Sequence, residues 1–114
     1  MQAQVVVDAG ICGFETRIAA ESDDSQNVAI RIVSTCEKVR AFGAALSAKG
    51  PVDAYSELGA GADGVVLSTS RAALKGCCAG CAVHAGTFKA MQVAAEVALP
   101  KDVILRITAG DGEA

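Results

Sequence analysis

Residues 14–34 read FETRIAAESDDSQNVAIRIVS, and this stretch decides the fold. In residues 14–21 apolar or small side chains alternate with charged ones, as a strand with one solvent-facing side requires. A similar alternation returns in residues 28–33, where Val28, Ile30 and Ile32 share one face. The polar run between the two segments is typical of a turn. The stretch therefore predicts two antiparallel strands.

The segments on either side of this hairpin predict a further strand and a helix. The β-branched run Val5–Val7 is closed by a turn and predicts the first strand. After the third strand, Ser34 and Glu37 have the spacing of a capping box that starts a helix. The run Lys49-Gly50-Pro51 ends that helix. Between these limits apolar residues recur at helical spacing: Val39, Phe42 and Leu46.

The second half of the chain predicts helices followed by a last strand. Val65–Leu67 predicts a short buried strand, with a brief helix after it through Leu74. An alanine-rich segment from about residue 79 to residue 99 predicts a long helix that stops before Pro100. In Asp102–Ala109 apolar residues alternate again, which predicts a strand with one buried face.

These elements predict an α+β fold. The expected architecture is an antiparallel sheet, made of a three-strand N-terminal meander plus the C-terminal strand, covered on one face by two main helices. A chain of 114 residues with 52% hydrophobic residues has the size and apolar content of one folded domain, residues 1–114.

Composition also excludes several classes of partner. The net charge is −3, and acidic and basic residues are scattered, so no basic patch for nucleic acid or an anionic membrane surface is expected. No apolar run approaches the length of about 20 residues that a membrane helix needs, and the first residues lack the basic start of a signal peptide. We predict a cytoplasmic protein.

Five cysteines provide the most distinctive chemistry, and three of them lie in the run Lys75–His84, which reads KGCCAGCAVH. An odd number of cysteines in a chain with no signal peptide argues against a disulfide framework. Metal or thiol chemistry is therefore favoured. The flexible Gly-Cys-Cys-Ala-Gly-Cys stretch is also a poor choice for thiols that serve only as buried hydrophobic groups.

The predicted topology brings the distant cysteines toward this run. Cys12 follows the first strand and Cys36 follows the third, and in an up-down-up meander these two ends lie at the same edge of the sheet. The turn with the other cysteines precedes a helix that must pack on this sheet. Free N–H groups at helix starts stabilise thiolates. The predicted ligand set is Cys12, Cys36, Cys78 and Cys81.

Cys77 is the alternative to Cys78 as the fourth ligand. Adjacent side chains point apart, so two neighbouring cysteines rarely bind one tetrahedral centre. We favour Cys78 because Cys78 and Cys81 have the Cys-x-x-Cys spacing that zinc and iron–sulfur sites share. The predicted cofactor is an iron–sulfur cluster, with a [4Fe–4S] cluster favoured.

The C-terminal third resembles a known family. Cys78-Ala79-Gly80-Cys81, then Thr87 and Lys89, the helix ending at Leu99-Pro100 and the closing strand are similar to the Cys-x-Gly-Cys end of NifU-type iron–sulfur scaffold domains. The resemblance implies that Cys78 and Cys81 bind a labile cluster, often shared between two chains, for delivery to other proteins. Cys12, Cys36 and Cys77 have no counterpart in that family and favour a cluster held within one chain.

Two other functions fit the same residues. The first is a structural zinc site in an interaction module, and the second is a thiol–disulfide redox protein that uses Cys78 and Cys81. His84 is placed for a role as a ligand, but its position on an apolar helical stripe favours a hydrogen-bonded core histidine. The G-x-G-x-x-G pattern of Gly59–Gly64 is read as a loop, because helical residues precede it and the predicted strand follows it.

The leading hypothesis is thus a small iron–sulfur protein that acts in electron transfer, redox sensing or cluster handling rather than as an enzyme. Its expected partner is a redox protein or a cluster-accepting protein. A homodimer is also considered.

Overall fold

The computed structural model describes residues 1–110 and contains four strands and four α-helices. The strands are β1 (Gln2–Asp8), β2 (Glu15–Glu21), β3 (Asn27–Ser34) and β4 (Val52–Asp53). The helices are α1 (Glu37–Ala48), α2 (Ala54–Ala60), α3 (Val65–Ala73) and α4 (Val83–Ala94). Three short 3-10 turns cover Gly10–Cys12, Gly61–Asp63 and Gly76–Gly80.

The strands form one antiparallel sheet in the order β1-β2-β3-β4. Val5 lies opposite Ile18, and Ile18 lies opposite Ile32, so the apolar positions of the first three strands share one face. The predicted meander and the α+β class are confirmed. The fourth strand is short and pairs only Val52 and Asp53 with the start of β3.

Helices cover the apolar face of the sheet. Helix α4 packs on β1 and β2, α1 packs on β3, and α3 packs against both helices. Phe42 of α1 and Met91 of α4 are completely buried in this layer, as is Ile18 of the sheet at 1% exposure. Gly86 lets α4 approach closely, because a Cβ atom there would lie 2.9 Å from Cγ2 of Val7. Within residues 1–110 the other face of the sheet stays exposed, as Val6 and Val33 show.

Helix α1 begins differently from the prediction. Its N-cap is Cys36, and Ser34 remains the last residue of β3. The Ser34 hydroxyl lies 2.8 Å from that of Thr16 in the neighbouring strand and accepts a hydrogen bond from the Cys36 backbone N–H at 3.0 Å. Ser34 is thus part of the sheet and does not cap α1, so the predicted capping box does not form. The predicted helix itself is confirmed.

The strand predicted at Val65–Leu67 is wrong, because these residues form the first turn of α3. Glu57 supplies the physical reason. Glu57 is 4% exposed, and its carboxylate accepts hydrogen bonds from the backbone N–H groups of Val65 at 3.0 Å and Val66 at 2.6 Å. A buried anion thus caps the helix from eight residues upstream and overrides the β-propensity of the valines.

The long C-terminal helix is shorter than predicted and ends at Ala94 rather than Leu99. Glu96 adopts a left-handed conformation with φ of 62°, and the Val97 N–H donates to the Gln92 carbonyl oxygen at 3.0 Å. This pattern is a Schellman motif, which closes a helix. The Ser25 hydroxyl also donates to the Glu96 carboxylate at 2.5 Å and holds this end of α4 beside the β2–β3 turn.

The predicted C-terminal strand is also wrong. Residues 101–110 have no regular secondary structure, and all of them are exposed. The fourth strand of the sheet is instead β4, which pairs with β3, on the opposite side of the meander from β1.

Among residues 1–110, no helix has both the length and the apolar character needed to cross a membrane.

Candidate functional site

Cys12 follows the end of β1 and Cys36 follows the end of β3, so both cysteines lie at the same end of the sheet. Cys12 ends the 3-10 turn that joins β1 to β2, and Cys36 starts α1. Two hydrogen bonds of 3.4 Å join the residue after β3 to the first residue of β2. The Thr35 N–H donates to the Glu15 carbonyl oxygen, and the Glu15 N–H donates to the Thr35 hydroxyl. Cys36 is therefore adjacent to the start of β2, as the meander predicts.

The remaining cysteines lie between α3 and α4, and these two helices place them at the same end of the sheet. The ammonium group of Lys38 in α1 donates to the carbonyl oxygen of Lys75 at 3.3 Å, so the chain just before Cys77 lies beside the first turn of α1. The N-terminal half of α4 covers the end of β1, where Gly86 meets Val7 and Val5. The elements that carry all five cysteines thus meet at one end of the sheet, which we call the cysteine rim (Cys12, Cys36, Cys77, Cys78 and Cys81).

The five thiols are all free, and they differ in exposure. Cys12 and Cys77 are exposed, whereas Cys36, Cys78 and Cys81 are half-buried and pack against the hydrophobic core. Cys78 is thus the inward-facing member of the Cys77–Cys78 pair. The structure thus separates the two cysteines by burial, and the choice of Cys78 as the fourth ligand stays a prediction.

The rim does not hold its side chains in a ready-made ligand geometry. Within the described part of the chain, no three cysteine, histidine or carboxylate side chains are grouped closely enough to hold a metal ion. Cys12 and Cys77 both lie in short 3-10 turns bordered by glycines in left-handed conformations, Gly13 with φ of 72° and Gly76 with φ of 69°. Any centre bound by these thiols would need both turns to move.

His84 has hydrogen-bond partners on both ring nitrogens. Nδ1 lies 2.7 Å from the hydroxyl of Ser70, and Nε2 lies 3.1 Å from the backbone carbonyl oxygen of Cys78. Because a carbonyl only accepts, Nε2 must carry a proton and donate to Cys78. These contacts confirm that His84 is hydrogen-bonded, although its side chain is half-buried rather than part of the buried core.

Sequence reasoning missed the residues that position the Cys77–Cys81 turn. Ser70 is completely buried and links α3 to His84, which in turn ties down Cys78. The Cys81 N–H donates to the Cys78 carbonyl oxygen at 3.1 Å and closes the turn. The spacing of Ser70 and His84 carries no signal of this contact, since they lie on different helices. Their hydrogen bonds fix the turn on the core.

The fold and the rim define a small α+β domain whose five free cysteines lie on elements that meet at one end of an antiparallel sheet. The chain belongs to a family of unknown function, DUF6951, whose model matches residues 3–107. No curated protein and no solved structure matches the chain.

Proposed function

We propose that this protein binds an iron–sulfur cluster at the cysteine rim, with Cys12, Cys36, Cys78 and Cys81 as ligands. The observation that carries the proposal is the meeting of the elements that bear these four residues at one end of the sheet. Such a cluster supplies one-electron redox chemistry. The proposed roles are electron transfer, redox sensing or cluster handling in the cytoplasm, with a redox protein or a cluster acceptor as partner.

The surroundings of the thiols favour a negatively charged centre. Cys36 is the N-cap of α1, a helix of 12 residues whose positive dipole end would face a centre bound there. A cluster bound by four thiolates carries net negative charge, which such a dipole end offsets. The half-buried positions of Cys36, Cys78 and Cys81 would shield a cluster on the protein side, and the exposed Cys12 would close it from the solvent side.

Binding is coupled to a rearrangement in this proposal. The described side chains are not grouped as ligands, so loading must draw the Gly10–Cys12 turn toward α1 and the Gly76–Gly80 turn. A cofactor that binds the native state and not the unfolded chain raises the free energy of unfolding. Loaded protein should therefore melt at a higher temperature than the cluster-free protein.

A thiol–disulfide function is the second candidate. The hydrogen bond from the Cys81 N–H to the Cys78 carbonyl closes a tight turn between two half-buried thiols that have the Cys-x-x-Cys spacing of redox pairs. In this reaction Cys78 and Cys81 would form one disulfide, and a partner's disulfide would take up the two electrons and two protons as it becomes a dithiol. This function needs neither Cys12 nor Cys36.

Metal and sulfide analysis tests the proposal. The protein is purified without oxygen, reconstituted with iron and sulfide, and assayed for iron, acid-labile sulfide and visible absorption. Iron and sulfide bound in similar amounts, with a charge-transfer band in the visible spectrum, support the proposal. Zinc bound without sulfide favours the structural zinc site. A colourless protein that cannot be reconstituted contradicts the cluster, and a titratable Cys78–Cys81 disulfide in that protein favours the thiol function.

A further inference from the structure

The C-terminal segment (residues 101–110) has the sequence of a strand and no partner in the described part of the chain. Its apolar residues are strongly exposed: Val103 is 60% exposed, Ile104 69%, Leu105 71% and Ile107 92%. A set of neighbouring exposed apolar side chains of this kind usually marks an interaction surface. The family match extends to residue 107, so these residues belong to the family's domain. The segment is therefore a candidate interaction surface.

Strand β1 offers a matching free edge. It lies at the end of the sheet, paired with β2 on one side only among the described residues. The Ser22 N–H donates to the Met1 carbonyl, and the Ala9 N–H donates to the Phe14 carbonyl, so the odd-numbered positions of β1 bond to β2. The even-numbered positions then direct their backbone N–H and C=O groups outward. These positions are Gln2, Gln4, Val6 and Asp8.

We propose that the C-terminal segment of one copy adds as a fifth strand to the β1 edge of a second copy, and that the exchange is reciprocal. Each copy donates one strand and accepts one, which gives a closed dimer with two-fold symmetry. The exchange pairs the outward backbone groups of β1 and covers the exposed apolar residues in one step.

The alternation of side chains selects one register. If even-numbered residues of the segment lie opposite even-numbered residues of β1, then Val103, Leu105 and Ile107 join the helix-covered face of the sheet. Val5 lies on that face and is only half-buried, whereas Ala3 and Val7 on either side of it are buried. An added strand would cover the exposed part of Val5. The open face would then receive Ile104, Arg106 and Thr108, where Arg106 can stay hydrated.

The exposure of the segment favours a second copy over the chain's own β1. Helix α4 ends beside the β2–β3 turn, which also borders the start of β1, yet from Lys101 onward every described residue is exposed and none pairs with the chain's own β1. The molecule is accordingly elongated, with principal extents of 48, 28 and 23 Å. A segment that extends from the body with an uncovered apolar face matches the donated strand of an exchanged dimer.

The full chain under reducing conditions with a chelator tests this inference, because neither disulfides nor a metal centre can then hold two copies together. Light scattering after size-exclusion chromatography should give about twice the 11.4 kDa chain mass. Leu105→Asp should weaken dimerisation by roughly 100-fold or more, since it places a charge in the buried layer. Thr108→Asp, on the open face, is the matched control and should leave the dimer intact.

A second pair of variants tests the acceptor edge. Gln4→Pro removes an outward N–H group without removing a bond to β2 and should also give monomers, whereas Gln4→Ala should not. Circular dichroism confirms that each variant is folded. A monomeric wild-type chain overturns the inference. Hydrogen exchange then shows which alternative holds: slow exchange of the segment's amides means that it pairs with its own sheet, and fast exchange means that it pairs with nothing. A dimer that survives both Leu105→Asp and Gln4→Pro overturns it equally.

Discussion

The ammonium group of Lys38 lies 3.3 Å from the backbone carbonyl oxygen of Lys75 and donates a hydrogen bond to it. This contact joins the first turn of α1, which begins after Cys36, to the segment that leads into Cys77. It therefore links the two halves of the cysteine rim, which are far apart in sequence. We expect it to matter more for assembly of a bound centre than for stability.

Lys38→Met keeps most of the aliphatic stem and removes the donor. Because the contact is exposed, the loss in free energy of unfolding should stay within about 1 kcal/mol, measured by urea denaturation. The rate of cluster reconstitution should fall. Lys49→Met at the far end of α1 is the control, and an equal effect of both variants on reconstitution would refute the role of Lys38.

The link from Ser70 to His84 should stabilise the fold and the Cys77–Cys81 turn together. Ser70→Ala and His84→Ala should each lower the free energy of unfolding by about 1–2 kcal/mol, because the buried partner loses its hydrogen bond. In the double variant the losses should overlap, with a coupling energy of about 0.5–1.5 kcal/mol. Strictly additive losses would show that the 2.7 Å contact contributes nothing.

Glu57 should be the acidic residue to which stability is most sensitive. Glu57→Gln replaces one of the two acceptor oxygens by an NH₂ group that faces a backbone N–H, and it removes the charge at the start of α3. The expected loss is about 2–3 kcal/mol in chemical denaturation. Glu37→Gln, in the first turn of α1, is the matched control and should cost about 0.5 kcal/mol. Similar losses for the two variants would contradict the capping role.

Asp24 should contribute to acid sensitivity. Hydrogen bonds from the side chain and backbone N–H of Asn27, and from the Gln26 N–H, hold the pKa of the Asp24 carboxyl well below its usual range. A carboxyl whose pKa is lower in the folded state stabilises the fold above its unfolded pKa of about 3.9, and this stabilisation is lost as the pH falls toward the folded pKa. Denaturation of the wild type should therefore become easier as the pH drops below about 4.

Asp24→Asn isolates this contribution. The variant should be less stable than the wild type at neutral pH, and its stability should fall less steeply in acid, as measured by urea denaturation at a series of pH values. Asp23→Asn removes the same charge one residue earlier and leaves the bonds to Asn27 in place. Identical acid profiles for the wild type and Asp24→Asn would refute the assignment.

The sequence was sufficient to predict the three-strand meander β1–β3 and the end of the sheet at which Cys12 and Cys36 lie. Alternation in residues 14–34 is a local signal of strand pairing, and it places the ends of β1 and β3 together without any knowledge of distant contacts. The locations of Cys12 and Cys36 follow from that pairing. This part of the fold is specified by local patterns that agree with the final structure.

Other features depend on contacts between distant residues and could not be predicted. The start of α3 is set by the buried carboxylate of Glu57, and the end of α4 by the left-handed Glu96 beside Ser25. The alternation in Asp102–Ala109 predicts a strand that the structure does not contain, because alternation alone does not specify a pairing partner. The partners of His84 are likewise a product of helix packing.

The central claim is that Cys78, the inward-facing cysteine of the adjacent pair, binds a cluster together with Cys12, Cys36 and Cys81. The most direct test is the iron and acid-labile sulfide content of three reconstituted proteins: the wild type, Cys78→Ser and Cys77→Ser. We predict that the wild type and Cys77→Ser bind iron and sulfide equally and that Cys78→Ser loses most of both. Absence of iron and sulfide from the wild type, or their loss from Cys77→Ser but not from Cys78→Ser, would contradict the claim.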